Sequence, residues 1–311
     1  MRNEAVVDSE LADAALLPRT GSIVEEQTAP GEFGCTAGPF RTYRRVVTVE
    51  AASNGRMRVL QEVEHRLDIP FFWLLFAWPI RRDLRRIRPP HSTPWWAPPD
   101  TVDAHGARAL GTLAALSLVC GYLGTMLTQT ITFAADEFRA DTVLQGRVLA
   151  ATRIDIVLAL IVVWFVDRKG RRAPLLAATA GGCVFTALGA LSPSLYWLGA
   201  SQVVAKGLVG GALIAIAIVG AEEMPAGSRA YSFSLLTMSG ALGAGLCVGL
   251  LAVADSGERG WRLLYALSLV WLLVVWRASR HLPESRRFER PHVNATMAGH
   301  GGRFWLLAIS A

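Results

Sequence analysis

The chain has few of the residues on which most catalytic and metal chemistry depends. Only four of its 311 residues are cysteines: Cys35, Cys120, Cys183 and Cys247. None forms a CxxC pair, so neither a zinc site nor a redox dithiol is expected. Three of them lie in apolar runs and are expected to act as small packing residues. The six histidines (His65, His91, His105, His281, His292 and His300) are scattered, with no metal-ligand spacing. No P-loop, GxSxG elbow or dinucleotide fingerprint is present. An enzyme is therefore not expected, and no cofactor. Met1 to Arg19 mixes acids with short apolar pairs and has no signal-peptide core, so the start of the chain is expected to stay in the cytoplasm.

Apolar residues are abundant, at 52% with a mean hydropathy of +0.35, which exceeds the apolar share of an ordinary soluble domain. They are unevenly placed. Charge is dense over the first hundred residues, and long apolar runs follow Ala109. The net charge of +6 comes from arginine clusters beside those runs. That is where the positive-inside rule puts the flanks of membrane helices, so no nucleic-acid partner is expected.

Residues 1–38 are acidic, dotted with Gly and Pro and without period, which predicts disorder. From Phe40 the pattern changes. Val47 and Val49 share one face of a predicted strand. Met57, Val59, Val63 and Leu67 mark a second, with the turn signal Asn54-Gly55 between them, so a β-hairpin is expected. Ile69 to Pro79 is apolar and aromatic and is followed by Arg81, Arg82, Arg85, Arg86 and Arg88. At about 11 residues the run is too short to cross a bilayer. It is either the closing helix of a small α+β unit or an interfacial helix with its basic end at anionic lipid. Arg88 to Asp100 is too rich in proline to be helical and forms a stiff linker, with Trp95 and Trp96 suited to the membrane interface.

Six predominantly apolar spans follow: Ala109–Ala135, Leu144–Val166, Pro174–Leu191, Leu195–Ala221, Ala230–Ala254 and Trp261–Trp276. The third and sixth are marginal in length for a bilayer of about 20 residues. Basic clusters precede span one, separate spans two and three, and follow span six, whereas the alternate loops are acidic or neutral. This predicts a multi-pass protein with a cytoplasmic N-terminus. The domain division expected is a disordered segment (1–38), a cytoplasmic hairpin-plus-helix segment (39–88), a linker (89–106), a six-helix bundle (107–282), a cytoplasmic loop (283–302) and the start of a seventh helix (303–311).

Three loops carry a resemblance. Span two ends in Asp167-Arg168-Lys169-Gly170-Arg171-Arg172, which resembles the G-x-x-x-D-R-x-G-R-R turn of the major facilitator superfamily, with Val163 in place of the leading Gly. After span four, Glu222 to Arg229 resembles the sugar-porter-like E-x-x-P-x-x-x-R. After span six, Pro283-Glu284-Ser285-Arg286-Arg287-Phe288 resembles P-E-S-P-R-[FYW], with Arg286 replacing the second proline. The resemblance implies an all-α membrane protein, the six-helix N-terminal bundle of a major facilitator fold in the cell inner membrane, preceded by a small α+β cytoplasmic segment. It also implies secondary active transport of a small solute by alternating access, proton-coupled, with the lipid bilayer around it and a further C-terminal six-helix half as partner. Its loop motifs imply a cytoplasmic gate network in which Glu222 and Glu284 pair with Arg168, Arg171, Arg229 or Arg287, beside Asp167, Gly170 and Arg172. The helix-four Arg of the family would fall at Val203, and the helix-five Gly-Pro pattern of drug antiporters is absent, which favours the sugar- and metabolite-porter side. A membrane-anchored sensor or scaffold, whose N-terminal segment binds a lipid or protein, is the alternative.

Inside the spans, Arg153 and Asp155 (span two) and Lys206 (span four) stand out. An ionisable group at mid-bilayer costs about 2.5–3.5 kcal/mol on insertion scales, so it faces a cavity, pairs or snorkels. Arg153 lies about 21 Å along its helix from Asp167, and Lys206 about 24 Å from Glu222. The similar depths predict a polar site for substrate or coupling ion, with Asp155 as proton carrier. Gln129, among Thr128, Thr130 and Thr132 near the outer end of span one, is a candidate ligand contact.

Overall fold

The structure is a computed structural model and describes residues 1–52, 56–255 and 257–284. Asn54-Gly55, Arg287 and the expected seventh helix lie outside the described residues.

The N-terminal part holds a five-stranded antiparallel sheet. Its strands are β1 (Arg2–Val7), β2 (Val24–Ala29), β3 (Glu32–Ala37), β4 (Phe40–Ala51) and β5 (Met57–Leu67), in the order β1-β5-β4-β3-β2. The expected pairing of the Val47 and Val59 strands is present, with Val49 opposite Val59. Disorder over residues 1–38 is not what the structure shows: three strands and the short helix α1 (Ser9–Ala15) lie there. Pro30-Gly31, part of the composition that suggested disorder, is the β2–β3 turn, where Gly31 takes φ +74°. The strand pattern of β2 is hidden by a buried charge. Glu25 points inward and accepts from Arg45 Nη2 (2.6 Å), Arg45 Nε (3.0 Å) and the Tyr43 hydroxyl (2.6 Å). Arg45 also donates to the Ala15 and Leu17 carbonyls and lies over the Phe33 ring. Each buried polar atom of this pair thus has a partner, as burial of charge demands.

Helix α2 (Trp73–Leu84) satisfies both readings of its sequence, one on each face. Ile80 and Leu84 are buried with Ile23 and the strand residues Phe40 and Val63, and Ala77 is buried on the same helix, while Trp73, Leu74, Leu75 and Trp78 stay exposed.

Among the described residues, six helices are long and apolar enough to cross a membrane: spans one (Ala104–Glu137), two (Thr142–Lys169), three (Arg172–Leu191), four (Leu195–Glu223), five (Ala226–Ala254) and six (Gly260–His281). Each contains or closely matches its expected run, and the marginal third and sixth gain their length from flanking polar residues. Span one takes in the last three residues of the expected linker because Asp103 caps it, accepting from the Gly106 amide at 2.7 Å.

Span one is the packing centre. It crosses span five so closely that a Cβ on Gly121 would overlap the Gly240 carbonyl, and one on Gly243 the Leu118 carbonyl. Gly207 and Gly211 bring span four equally close to Leu158 and Val162 of span two. Small residues at i and i+4 let backbones approach where lipid offers no hydrophobic drive. Spans two, five and six turn Ile, Leu, Val and Trp outward (Leu160, Leu242 and Leu273 among them), as a lipid-facing surface requires.

The sheet unit is fastened to one end of the bundle, called here the basic end. Arg108 of span one pairs with Asp68. Phe71 meets the His281 ring edge-on, 6.3 Å between centroids. The linker residue Asp100 accepts from the Gly227 amide (2.7 Å), and its own amide and carbonyl both bond the Ser228 hydroxyl (2.9 Å each).

Candidate functional site

Two sets of polar residues stand out, one in the middle of the bundle and one at its basic end.

At mid-depth, span two changes from α-helix to a 3₁₀ turn at Thr152–Ile154 and resumes at Asp155. Arg153 sits in that turn and Asp155 starts the next segment. A 3₁₀ stretch inside a long helix loosens the ladder and is a common mark of a functional hinge. Span four passes alongside, and the position a Gly207 Cβ would take is 3.0 Å from the Asp155 carbonyl oxygen. Lys206, the preceding residue, lies within electrostatic range of Asp155 and Arg153. Arg153 is exposed, and Asp155 and Lys206 are half-buried. Their side chains make no hydrogen bond or ion pair among the described residues, so they are close but not locked together.

Span one reaches the same level. Gly124 packs on Val209 Cγ1 of span four, 3.8 Å from its Cβ position. The two helices run in opposite directions, so one turn farther from the basic end, about 5.4 Å, they carry Thr128 and Lys206. The exposed residues of span one are Thr128, Thr132 and Asp136, spaced by four, with Thr125 and Gln129 half-buried beside them. Span one therefore shows a polar stripe where a lipid-facing helix shows Leu or Val. The geometry places Gln129, Arg153, Asp155 and Lys206 in one layer, though Gln129 touches none of the three charges. Sequence reading missed Gln202, one turn from Lys206. It is fully buried, its Nε2 donates weakly to the Phe185 carbonyl at 3.5 Å, and its Oε1 has no hydrogen-bond partner among the described residues.

At the basic end the loop motifs converge. Gly170 takes φ +97°, a region open to glycine, and reverses the chain between spans two and three. Arg171 then reaches Glu222 (Nη2–Oε1 3.1 Å), Asp167 (2.7 Å) and the Val166 carbonyl (3.1 Å). Glu284 accepts from the backbone amides of Arg171 (2.7 Å) and Arg172 (3.1 Å), at the start of span three, where the helix dipole favours a carboxylate. Arg172 bonds the Ser279 carbonyl. Three loops are thus joined through Asp167, Arg171, Arg172, Glu222 and Glu284. For two residues expected to join them, no ion pair with these acids is seen among the described residues. Arg168 lies over the Trp164 ring at 4.2 Å, because its position on the helix turns it outward with the aromatic. Arg229 is exposed at the head of span five. A pair not foreseen adds a fourth element: His105 of span one contacts Glu223 at 3.1 Å.

The opposite end is closed by Glu137, which accepts from Trp261 Nε1 (2.8 Å) and Arg262 (3.0 Å), while Arg262 also bonds the Ala190 and Ser192 carbonyls.

The six apolar spans among the described residues mark a multi-pass membrane protein. The model of the sugar (and other) transporter family matches residues 108–296, more than half of the chain, and the chain belongs to that family. No curated protein matches significantly. Among solved structures, a major facilitator superfamily proton:xylose symporter, XylE, bound to 6-bromo-6-deoxy-D-glucose is similar with a TM-score of 0.54 at 19% identity, covering 60% of this chain and 46% of that one. A partially occluded inward-open form of the xylose transporter XylE from E. coli gives 0.52 at 20% identity, with 60% and 50% covered. These likenesses concern the fold, and the chain spans about half the length of the structures it matches.

Proposed function

We propose that this chain forms the N-terminal half of a sugar transporter, with a second six-helix bundle closing the polar layer into a solute pathway. The observation that carries the proposal is that layer: Arg153, Asp155 and Lys206 lie near the middle of their spans with no ion pair among the described residues, level with the polar stripe of span one. Charges at that depth are too costly to persist facing lipid, so a water-filled pathway gives them their hydration. Sugar hydroxyls suit such a lining, because each can accept from Lys206 or Arg153 and donate to Asp155 or Gln129. Asp155 carries the coupling proton, and the solved relatives include proton:xylose symporters. In alternating access the basic end opens by parting the Arg171–Glu222 and Glu284 contacts while the two halves rock. The arginines at 81–88, 168–172 and 277–280 support a cytoplasmic position for that end.

The test is uptake of labelled monosaccharides into proteoliposomes with an imposed pH gradient. Uptake driven by an acidic exterior, abolished by Asp155→Asn and by Lys206→Gln, is the expected result. Gradient-driven uptake that survives Asp155→Asn removes the residue from coupling. A bundle that moves no solute when supplied with any complementary half overturns transport in favour of an anchored sensor, a reading favoured by the folded sheet unit.

A further inference from the structure

Helix α2 spends one face on the sheet and leaves the other without a protein partner. Trp73, Leu74, Leu75 and Trp78 are 55%, 71%, 66% and 68% exposed. Arg81, Arg82, Arg85 and Arg86 follow on the same helix and its exit, and their side chains form no ion pair among the described residues. Beneath this face runs a groove, open to the outside, between α2, the sheet and spans one and five. Its walls are almost wholly apolar: Phe40 and Ile80 on one side, Leu110 and Ala114 of span one below, Leu235 and Leu242 of span five opposite. Leu242 is a bilayer-facing residue, 53% exposed, so the trough continues into the lipid-facing surface of the bundle. At its other end it widens into a mouth lined by Arg82, Arg86 and Arg88, with Trp95 and Ser234 beside them. Arg88 is held by Asp83 at 2.8 Å, and Arg82 lies over the Trp78 ring at 5.5 Å. Arg86 has no such contact.

We propose that this groove is a binding site for an anionic phospholipid drawn from the surrounding bilayer. One acyl chain lies in the trough along span five, and the headgroup phosphate sits at Arg82 and Arg86. Three observations support this occupant. The apolar trough opens sideways where acyl chains are, Arg82 and Arg86 at its mouth form no ion pair among the described residues while Asp83 is taken up by Arg88, and a guanidinium fork matches phosphate geometry. The exposed Trp and Leu residues of α2 lie where an interfacial helix needs them, so the same helix holds the sheet unit against the headgroups. The inference does not depend on solute transport and stands or falls separately from it.

The full chain is purified from membranes of phosphatidylcholine mixed with phosphatidylglycerol, and the lipids retained are measured by mass spectrometry. Phosphatidylglycerol is expected to be retained in clear excess over phosphatidylcholine. Arg82→Glu combined with Arg86→Glu is expected to lower that excess at least about tenfold. Met238→Trp, which fills the trough without touching charge, is expected to lower retention of both lipids. The control is Arg81→Glu combined with Arg85→Glu, the same charge change on residues that do not line the mouth, and it is expected to keep the excess. Circular dichroism of each variant checks that the helices are intact. Equal loss in both double variants would reduce the effect to general attraction between arginines and membrane and overturn the site. So would equal retention of the two lipids by the unaltered chain, or displacement of phosphatidylglycerol by oleate, which lacks the phosphate.

Discussion

Replacing Glu222 by Gln removes one charge from the loop network and leaves the shape. The carboxylate is 9% exposed and its partner Arg171 16%, whereas Asp167, the other acid on Arg171, is 59% exposed. These exposures set the order of the effects. A pair in water contributes about 0–1 kcal/mol, so Asp167→Asn is expected to cost little. Partners in one half-buried network couple by about 0.5–3 kcal/mol, and Glu222→Gln belongs to the upper part of that range, since Arg171 then loses its least hydrated partner. The assay is a double-mutant cycle of Arg171→Gln and Glu222→Gln, read by equilibrium unfolding of the full chain in mixed detergent micelles. A coupling above about 1 kcal/mol between 171 and 222, and a smaller one between 171 and 167, is the expected result. If the network also holds the basic end shut, the same energy shifts the open fraction about 5–150-fold, which accessibility of a cysteine placed at Ser279 would register. A zero coupling at 171–222, or an Asp167→Asn variant as impaired as Glu222→Gln, refutes the reasoning.

Gly243→Ala puts a methyl group into the Leu118 carbonyl. Overpacking costs about 1–3 kcal/mol or more where backbone cannot yield, so folded yield is expected to fall sharply, while Gly245→Ala, which meets nothing within 4 Å, leaves it unchanged. Glu25→Gln strands the buried Arg45 charge and is expected to cost about 3–5 kcal/mol, whereas replacing both residues by Leu and Met recovers most of it; proteolysis within β4 reports both. His65 packs against Phe40 with ring centroids 5.8 Å apart, and burial, with the nearby Arg81 charge, holds its pKa below the usual 6.5. Its folded state resists the proton, so this contribution to stability is present above the ordinary histidine range and is lost as the pH falls through and below it. His65→Gln should flatten that acid-side slope in the unfolding of the sheet unit.

The spans were legible because a run of twenty apolar residues has almost no other use in a chain of this kind, and β4–β5 because Val47, Val49, Val59 and Val63 alternate cleanly. The first three strands were not. They are six residues each, and the inward position of β2 is held by Glu25, so period-2 hydrophobicity fails where the buried ion pair sits. At the site, the motif loops announced Arg171, Glu222 and Glu284, since turn chemistry and charge share one short stretch. His105–Glu223, Asp100–Gly227 and Glu137–Arg262 were invisible. Each joins residues more than a hundred positions apart through single polar side chains, and such pairs leave no periodicity to read. Gln202 was passed over because one amide in an apolar helix looks like packing until its unpaired oxygen is seen.

Strand β1 pairs with β5, so the sheet is complete only after Leu67 has been made, and the whole of it precedes Ala104. Ribosomes add about 5–20 residues per second and domains fold as units from the N-terminal side. The sheet and its helix can therefore finish folding before the first greasy segment has left the ribosome. A folded five-stranded sheet resists being threaded through a narrow translocation channel. Synthesis order thus lets the sheet unit take shape before any transmembrane segment has a neighbour.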